Sequence, residues 1–246
     1  MPDAISVGGL HRSGTTVVHF LLGAHPHCVA IGEAWGFISS KASIERADEI
    51  GCSCGAPASE CSFWGPLVPK LAGDGDYAPV FERAREVYGD AILVDSSKSL
   101  AARRALEGDV FRLHVIRDVR AWAVSTERVN WRGMRAWHRQ NRRMIDAGSD
   151  MVVSYDELAL RPEATLNAIC ENIGLEADIP SMLRFGAAEH HAVKCNRMKG
   201  DPNKMAGLVY DNRWFTDDRW LRPAMLSPVV MRFNKRQVYG HAPSIF

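Results

Sequence analysis

The segment Gly9-Leu10-His11-Arg12-Ser13-Gly14-Thr15-Thr16 constrains this chain more than any other. It follows a short apolar, β-branched run, Ala4 to Val7, that reads as a buried parallel strand, and Thr16 to Leu22 reads as the opening of a helix. Strand, glycine turn and helix N-terminus in that order aim backbone N–H groups and the positive end of a helix dipole at one point, which makes an anion site. The loop has the length of a triphosphatase phosphate loop, but Thr15 stands where such a loop carries the lysine that reaches the β- and γ-phosphates. The fixed cation is Arg12, on the rim of the cradle and two residues ahead of Gly14. That displacement points away from phosphoryl transfer. The bland alternative is a glycine turn that only joins strand to helix.

Further strand and helix signals alternate behind this unit. Strands are expected at Ala91 to Val94, stopping at Asp95-Ser96-Ser97-Lys98, at Val110 to Ile116, stopping at Arg117-Asp118, and at Met151 to Val153, before Ser154-Tyr155-Asp156. Helices are expected at Pro79 to Tyr88, at Ser99 to Leu106, as one long stretch over 119–146, and at Ala164 to Ile173 with Gly174 closing it. A short apolar segment, Val29-Ala30-Ile31, ends at Gly32-Glu33. The pattern implies the α/β class, a three-layer P-loop NTPase-like fold with a central parallel sheet flanked by helices. Ligands in such sheets bind at the carboxyl ends of the strands, where Gly9, Asp95, Arg117 and Ser154-Tyr155 all fall. With 246 residues, 46% of them hydrophobic, the chain reads as a single domain over 1–246. It carries an irregular Cys/Gly/Pro-rich insertion at about 51–79 and a lid-like region at about 190–246.

A net charge of +1 argues against a nucleic-acid partner or a polybasic membrane surface. No apolar run approaches the roughly 18 residues a membrane span needs, and Met1-Pro2-Asp3 leads straight into the first strand without a leader pattern. A soluble, cytoplasmic protein is the expectation. The six cysteines, Cys28, Cys52, Cys54, Cys61, Cys170 and Cys195, are too few for a disulfide scaffold at this length. Cys52, Cys54 and Cys61 suggest a metal knuckle but lack a fourth ligand in sequence, so structural or redox packing and metal binding both stay open. The nine histidines form no metal pattern. His25 and the pair His190-His191 read as loop structure rather than ligands, and no metal site is assigned.

Arg117 and Ser125, eight residues apart, can grip a second phosphate, implying a nucleotide phosphorylated at two places. Alternatively Arg117 pairs with Asp118 or Asp95 and Ser125 is an ordinary helix residue. Arg12-Ser13-Gly14-Thr15-Thr16 with Leu21-Leu22 and His25-Pro26, and Arg117 followed by Ser125, resemble the two cofactor motifs of the PAPS-dependent sulfotransferases (PAPS, 3′-phosphoadenosine 5′-phosphosulfate). Tyr155-Asp156-Glu157-Leu158 before Arg161-Pro162 is similar to a family segment near the adenosine, and His190-His191 through Asn196-Arg197-Met198 to the late loop over the nucleotide. The chain is most similar to the branch with Arg in the loop, which includes bacterial enzymes and the protein-tyrosine sulfotransferases.

The resemblance implies that Arg12, Ser13, Gly14, Thr15 and Thr16 bind the 5′-phosphosulfate. It places Arg117 and Ser125, with Arg128 in reach, on the 3′-phosphate, and Tyr155, Asn196 and Met198 around the nucleoside. Glu33, in its Gly-Glu context, takes the place of the catalytic base, with Arg12 and Lys98 as the cations on the transferring group. PAPS is then the donor, PAP the product, and no metal is required. A solvated loop carboxylate is the bland reading of Glu33. The acceptor is open among small-molecule, glycan and peptide hydroxyls, as is the oligomeric state. Competing readings are a P-loop kinase or NTPase and a non-catalytic PAPS- or PAP-binding protein. Arg128, Arg132, Arg135, Arg139 and Arg142 form a cationic stripe on the long helix, read as a solvated face or as an attractor for an acidic acceptor. Tyr210 to Trp220 suits a lid or acceptor wall.

Overall fold

The computed structural model describes residues 1–195 and 197–240, with the backbone only for Arg197 and Lys199. Five parallel strands form the central sheet: β1 (Ala4–Gly9), β2 (Cys28–Gly32), β3 (Ile92–Asp95), β4 (Val110–Ile116) and β5 (Met151–Ser154), in the order β2-β3-β1-β4-β5. The main helices are α1 (Thr15–Gly23), α2 (Ala78–Tyr88), α3 (Val119–Ser125), α4 (Trp131–Asp146), α5 (Tyr155–Leu160), α6 (Pro162–Ile173) and α7 (Pro228–Tyr239). No described helix is long and apolar enough to cross a membrane.

Alternation along the strands sorts the core into layers. Ile5, Val7, Ile92, Val94, Leu113, Val115 and Val153 face a cluster built with Val18, Leu21 and Leu22 of α1 and Leu166 and Ile169 of α6. On the other face, Ala4, Val29, Ile31 and Leu93 meet Phe37, Trp64, Tyr77, Val80 and Ala84, while Ile116 and Val152 meet Trp137 of α4 and Phe233 of α7. The expected three layers are thus present, and the apolar segment Val29-Ala30-Ile31 is itself an edge strand. The irregular insertion supplies core: Phe63 and Trp64 are fully buried although the segment has almost no regular structure.

Two expectations need correction. The single helix over 119–146 is broken into α3 and α4, because Glu127 adopts φ +54 and Asn130 caps α4 by accepting from Gly133 N at 2.8 Å. Arg128 therefore lies in the break and not on a continuous stripe. The region expected to act as a lid is largely part of the fold: His191 N donates to Ala30 O at 3.0 Å and Val193 N to Ile31 O at 3.2 Å, so residues 191–193 run beside β2. Near the end of the described chain, α7 buries Val230, Phe233 and Val238.

Candidate active site

Because β1 turns back towards β2 and β4 continues to β5, the sheet's switch point lies between β1 and β4, the place where open α/β sheets bind ligands. The glycine loop occupies this point. Gly14 caps α1 at φ +94, and a Cβ there would lie 2.3 Å from the Tyr155 ring, so glycine lets the loop pass under that side chain as it stands. The amides of Thr15 and Thr16 precede the first acceptor of the helix, whereas Val17 N already donates to Gly14 O at 3.0 Å. Ser13 Oγ is buried and has no hydrogen-bond partner among the described residues. Thr15 and Thr16 are buried at the helix start, and Arg12, at φ +67, stands exposed on the rim. An anion fits a cradle lined in this way.

Arg117 leaves the end of β4 next to the loop, donating from Nη1 to Arg12 O at 3.2 Å and lying 5.1 Å over the Tyr155 ring. Neither ion pair considered from the sequence forms. Its Nη2 instead meets Asp211 Oδ2 at 2.8 Å, and its Nε is buried without a partner among the described residues. Asp211 is held well below the usual carboxylate range by Arg213 first and then by Arg117. Ser125 is the last residue of α3, about 10 Å along the helix from its start. Its neighbour in the helix break is Arg128, whose N donates to Ala123 O at 2.9 Å. Arg117 thus faces the loop, while Ser125 and Arg128 share the far end of α3.

Glu33 follows β2 directly. Gly32 takes φ +85, where a Cβ would lie 2.3 Å from Val193 O, and its N–H donates to His19 Nε2 at 2.9 Å. The Glu33 backbone is held by its own N–H donating to Val193 O at 3.0 Å. Its side chain accepts a hydrogen bond from Lys98 Nζ at Oε1, across 65 residues of sequence. Lys98 is placed by the turn after β3: Ser96 N donates to Gly32 O at 2.7 Å, and Ser97 donates from N and Oγ to the buried Asp95 at 2.6 and 3.1 Å. Burial pushes the Asp95 carboxyl up to about 6, against the hydrogen bonds from Ser97 and Tyr77.

The exposed imidazole of His11 marks where these groups converge. Partial burial lowers its pKa, the charges of Arg12, Lys98 and Arg128 lower it further, and Glu33 opposes them. Four candidate site residues from four separate segments thus lie within electrostatic reach of one ring. His11 lies in the glycine loop without a sequence signal for its role, and neither Asp211 nor the strap at Val193 has a local signal in the sequence.

Tyr155 packs on Gly14 and donates its hydroxyl to Val209 O at 2.9 Å. Met198 is buried in the cluster under α1. Asn196 lies outside the described residues. Of the arginine stripe, Arg132 and Arg135 lie over the exposed Trp131 at 5.3 and 5.2 Å, and Arg142 pairs with Asp146 at 3.4 Å. In the Tyr210–Trp220 segment, Arg120 lies between Trp214 and Trp220, 4.3 and 5.1 Å from their rings, which ties that segment to α3.

No protein-family model matches the sequence. No curated protein matches it either. Among solved structures, the sulfotransferase domain of the Synechococcus PCC 7002 olefin synthase matches with a TM-score of 0.59 at 17% identity, covering 93% of this chain and 94% of that one. The sulfotransferase domain of the curacin biosynthetic pathway matches with a TM-score of 0.58 at 15% identity, covering 93% and 98%. This chain has the fold of sulfotransferase domains.

Proposed function

We propose that the protein transfers the sulfuryl group of PAPS to an acceptor hydroxyl. The observation that carries this reading is the meeting of Glu33, Lys98 and the Arg12 loop at the carboxyl ends of β2, β3 and β1. A sulfuryl group carries less negative charge than a phosphoryl group, so oriented N–H donors and side-chain cations suffice to stabilise its transfer. That suits a loop with Thr15 in place of lysine. Glu33 takes the proton of the acceptor hydroxyl as the new oxygen–sulfur bond forms. Lys98, now on Glu33, exchanges that contact for the oxygen left on the 5′-phosphate as the old bond breaks. Arg12 covers the sulfonate from the rim. Arg117, with its unpartnered Nε, and the Ser125/Arg128 pair hold the 3′-phosphate, with Tyr155 as a wall beside the nucleoside.

The test is transfer from labelled PAPS to a panel of alcohols, phenols, glycans and tyrosine peptides in buffer without added Mg²⁺, with PAP binding measured by calorimetry. Glu33→Gln is expected to lower turnover by about 10²- to 10⁴-fold while PAP affinity stays within about threefold. Wild-type turnover in that variant would sink the assignment of the base. Mg²⁺-dependent consumption of ATP, with no binding of PAP, would favour the kinase reading. PAP binding without sulfation of any acceptor would leave a nucleotide-binding protein.

A further inference from the structure

Three cysteines of the insertion and one histidine from the segment beside β2 form a second polar cluster. The thiols of Cys52, Cys54 and Cys61 and the ring of His191 offer ligand atoms that all lie within 4.8 Å of one another. Cys52 Sγ and Cys61 Sγ are 3.6 Å apart, and Cys61 Sγ is 3.3 Å from His191 Nδ1. Tetrahedral zinc with Zn–S near 2.3 Å and Zn–N near 2.0 Å sets its ligand atoms roughly 3.5 to 3.8 Å apart, so these donors are already close to the edges of such a tetrahedron. Sequence spacing shows three ligands and no fourth. The fold supplies the fourth from 130 residues away.

We propose that Cys52, Cys54, Cys61 and His191 form a closed structural site for a thiophilic divalent cation, zinc by chemistry. Three thiolates and one imidazole match the Cys₃His donor set of structural zinc, which leaves no open position for catalysis. A disulfide accounts for less, since it joins two of the three thiols and leaves the third beside a buried histidine.

The surroundings orient each ligand. Cys52 N donates to Ala56 O at 2.8 Å and Gly55, at φ +96, turns the chain so that Cys52 and Cys54 lie on one side of a tight loop. His191 is stacked on Phe63 at 5.5 Å between centroids, and its carbonyl accepts from Trp64 Nε1 at 2.5 Å. Its Nε2, opposite the nitrogen that faces Cys61, is 3.3 Å from Glu189 Oε1, the usual place of a carboxylate that fixes a metal-bound imidazole. Cys52, Cys61 and His191 are buried and Cys54 is exposed, which leaves one side for the ion to enter. Binding displaces one proton from each thiol to solvent, without redox change.

The site pins the insertion to residues 191–193, and those residues hold Gly32 and Glu33 from behind. Ser53 strengthens the same seam, donating from Oγ to His190 O at 2.7 Å and accepting from Ala192 N at 2.8 Å. The ion therefore braces the strap under the proposed base without touching the reacting atoms.

The experiment is metal analysis of the full chain purified under reducing conditions, followed by exchange with Co²⁺. One zinc per chain is expected, and Co²⁺ should give thiolate charge-transfer bands with the intense visible bands of a tetrahedral site. Cys54→Ser, at the exposed ligand, should keep the circular dichroism spectrum while losing metal and changing the cobalt spectrum. His191→Ala should do the same or fail to fold. A zinc chelator should lower Tm of the wild type and leave Cys54→Ser unaffected. Reduced protein that takes up neither Zn²⁺ nor Co²⁺ would overturn the proposal, as would an unchanged cobalt spectrum in Cys54→Ser. None of these readouts depends on sulfuryl transfer, so the site and the proposed activity can fail separately.

Discussion

The glycine loop and the Glu33 strap lie at the same end of the sheet but are built in opposite ways. The loop is made within about twenty consecutive residues, Ala4 to Gly23, by one strand, one turn and one helix. The strap needs three distant stretches: β2 with Gly32 and Glu33, the insertion around Ser53, and residues 190–193. The glycine cradle is therefore written locally, while the position of the proposed base depends on tertiary contacts. Substitutions in the loop should therefore act chiefly on binding, and those in the strap on stability.

The largest effect should separate two glycines at positive φ. A Cβ at Gly32 would lie 2.3 Å from Val193 O and 2.6 Å from Val193 N, both backbone atoms that are tied to β2. At Gly14 the obstacle is the Tyr155 ring at 2.3 Å, a side chain that can swing if it gives up its bond to Val209 O. Gly32→Ala should cost about 3–5 kcal/mol of unfolding free energy, from αL strain and overpacking together. Gly14→Ala should cost about 1–3 kcal/mol but weaken PAP binding at least about tenfold, because the cradle itself is distorted. Urea unfolding and calorimetry on both variants check this. Equal stability losses would remove the distinction between a local and a tertiary site.

Arg117 sharpens the comparison within the donor side. Its fork is shared between Arg12 O and Asp211, and a 3′-phosphate would replace Asp211 as the charged partner. Arg117→Ala should weaken PAP by about 10- to 100-fold, the range for charge-assisted hydrogen bonds, and Ser125→Ala by only about 2- to 10-fold. Adenosine 5′-phosphosulfate, which lacks the 3′-phosphate, should lose little affinity in either variant. A similar loss for both nucleotides would mean that Arg117 acts by bracing the loop through Arg12 O.

Legibility follows the same division. Four strands and the loop were readable because each is a short apolar run ending in polar residues, and β2 showed only as the segment Val29-Ala30-Ile31. The end of the long helix at Ser125 was not readable: nothing in Thr126-Glu127-Arg128-Val129 breaks a helix by composition, and the break comes from Glu127 at φ +54 with Asn130 as cap. Glu33 stands out in the sequence only through the family resemblance and its Gly-Glu context, and its ties to Lys98 and Val193 carry no local signal, since strand pairing and turn geometry across 65 and 160 residues set them. The same limit hid the fourth member of the cysteine cluster. His191 carries no local spacing to Cys61, and only the path of residues 191–193 along β2 brings the ring there.

His19 belongs to both regions, since it lies on the helix of the loop and accepts from Gly32 N with Nε2. Burial holds its pKa down, to about 3, so the ring stays neutral and keeps its lone pair for that bond. A histidine lowered in the folded state contributes stability that is complete above its unfolded value near 6.5 and is lost as pH falls towards 3. His114, lowered to about 4, acts in the same direction, whereas Asp95, raised to about 6, gains stability as pH falls through that value. The variant His19→Asn keeps an acceptor for Gly32 N but cannot titrate. It should be less stable than wild type at pH 7, and the gap should shrink by about 2 kcal/mol at pH 5, at roughly 1.4 kcal/mol per pH unit for one proton. Urea titrations of both proteins at the two pH values measure the change, and His114 and Asp95 cancel because they are common to both. A gap that does not move with pH would mean that His19 is not held neutral, and that the bond joining loop and strap does not rest on its lone pair.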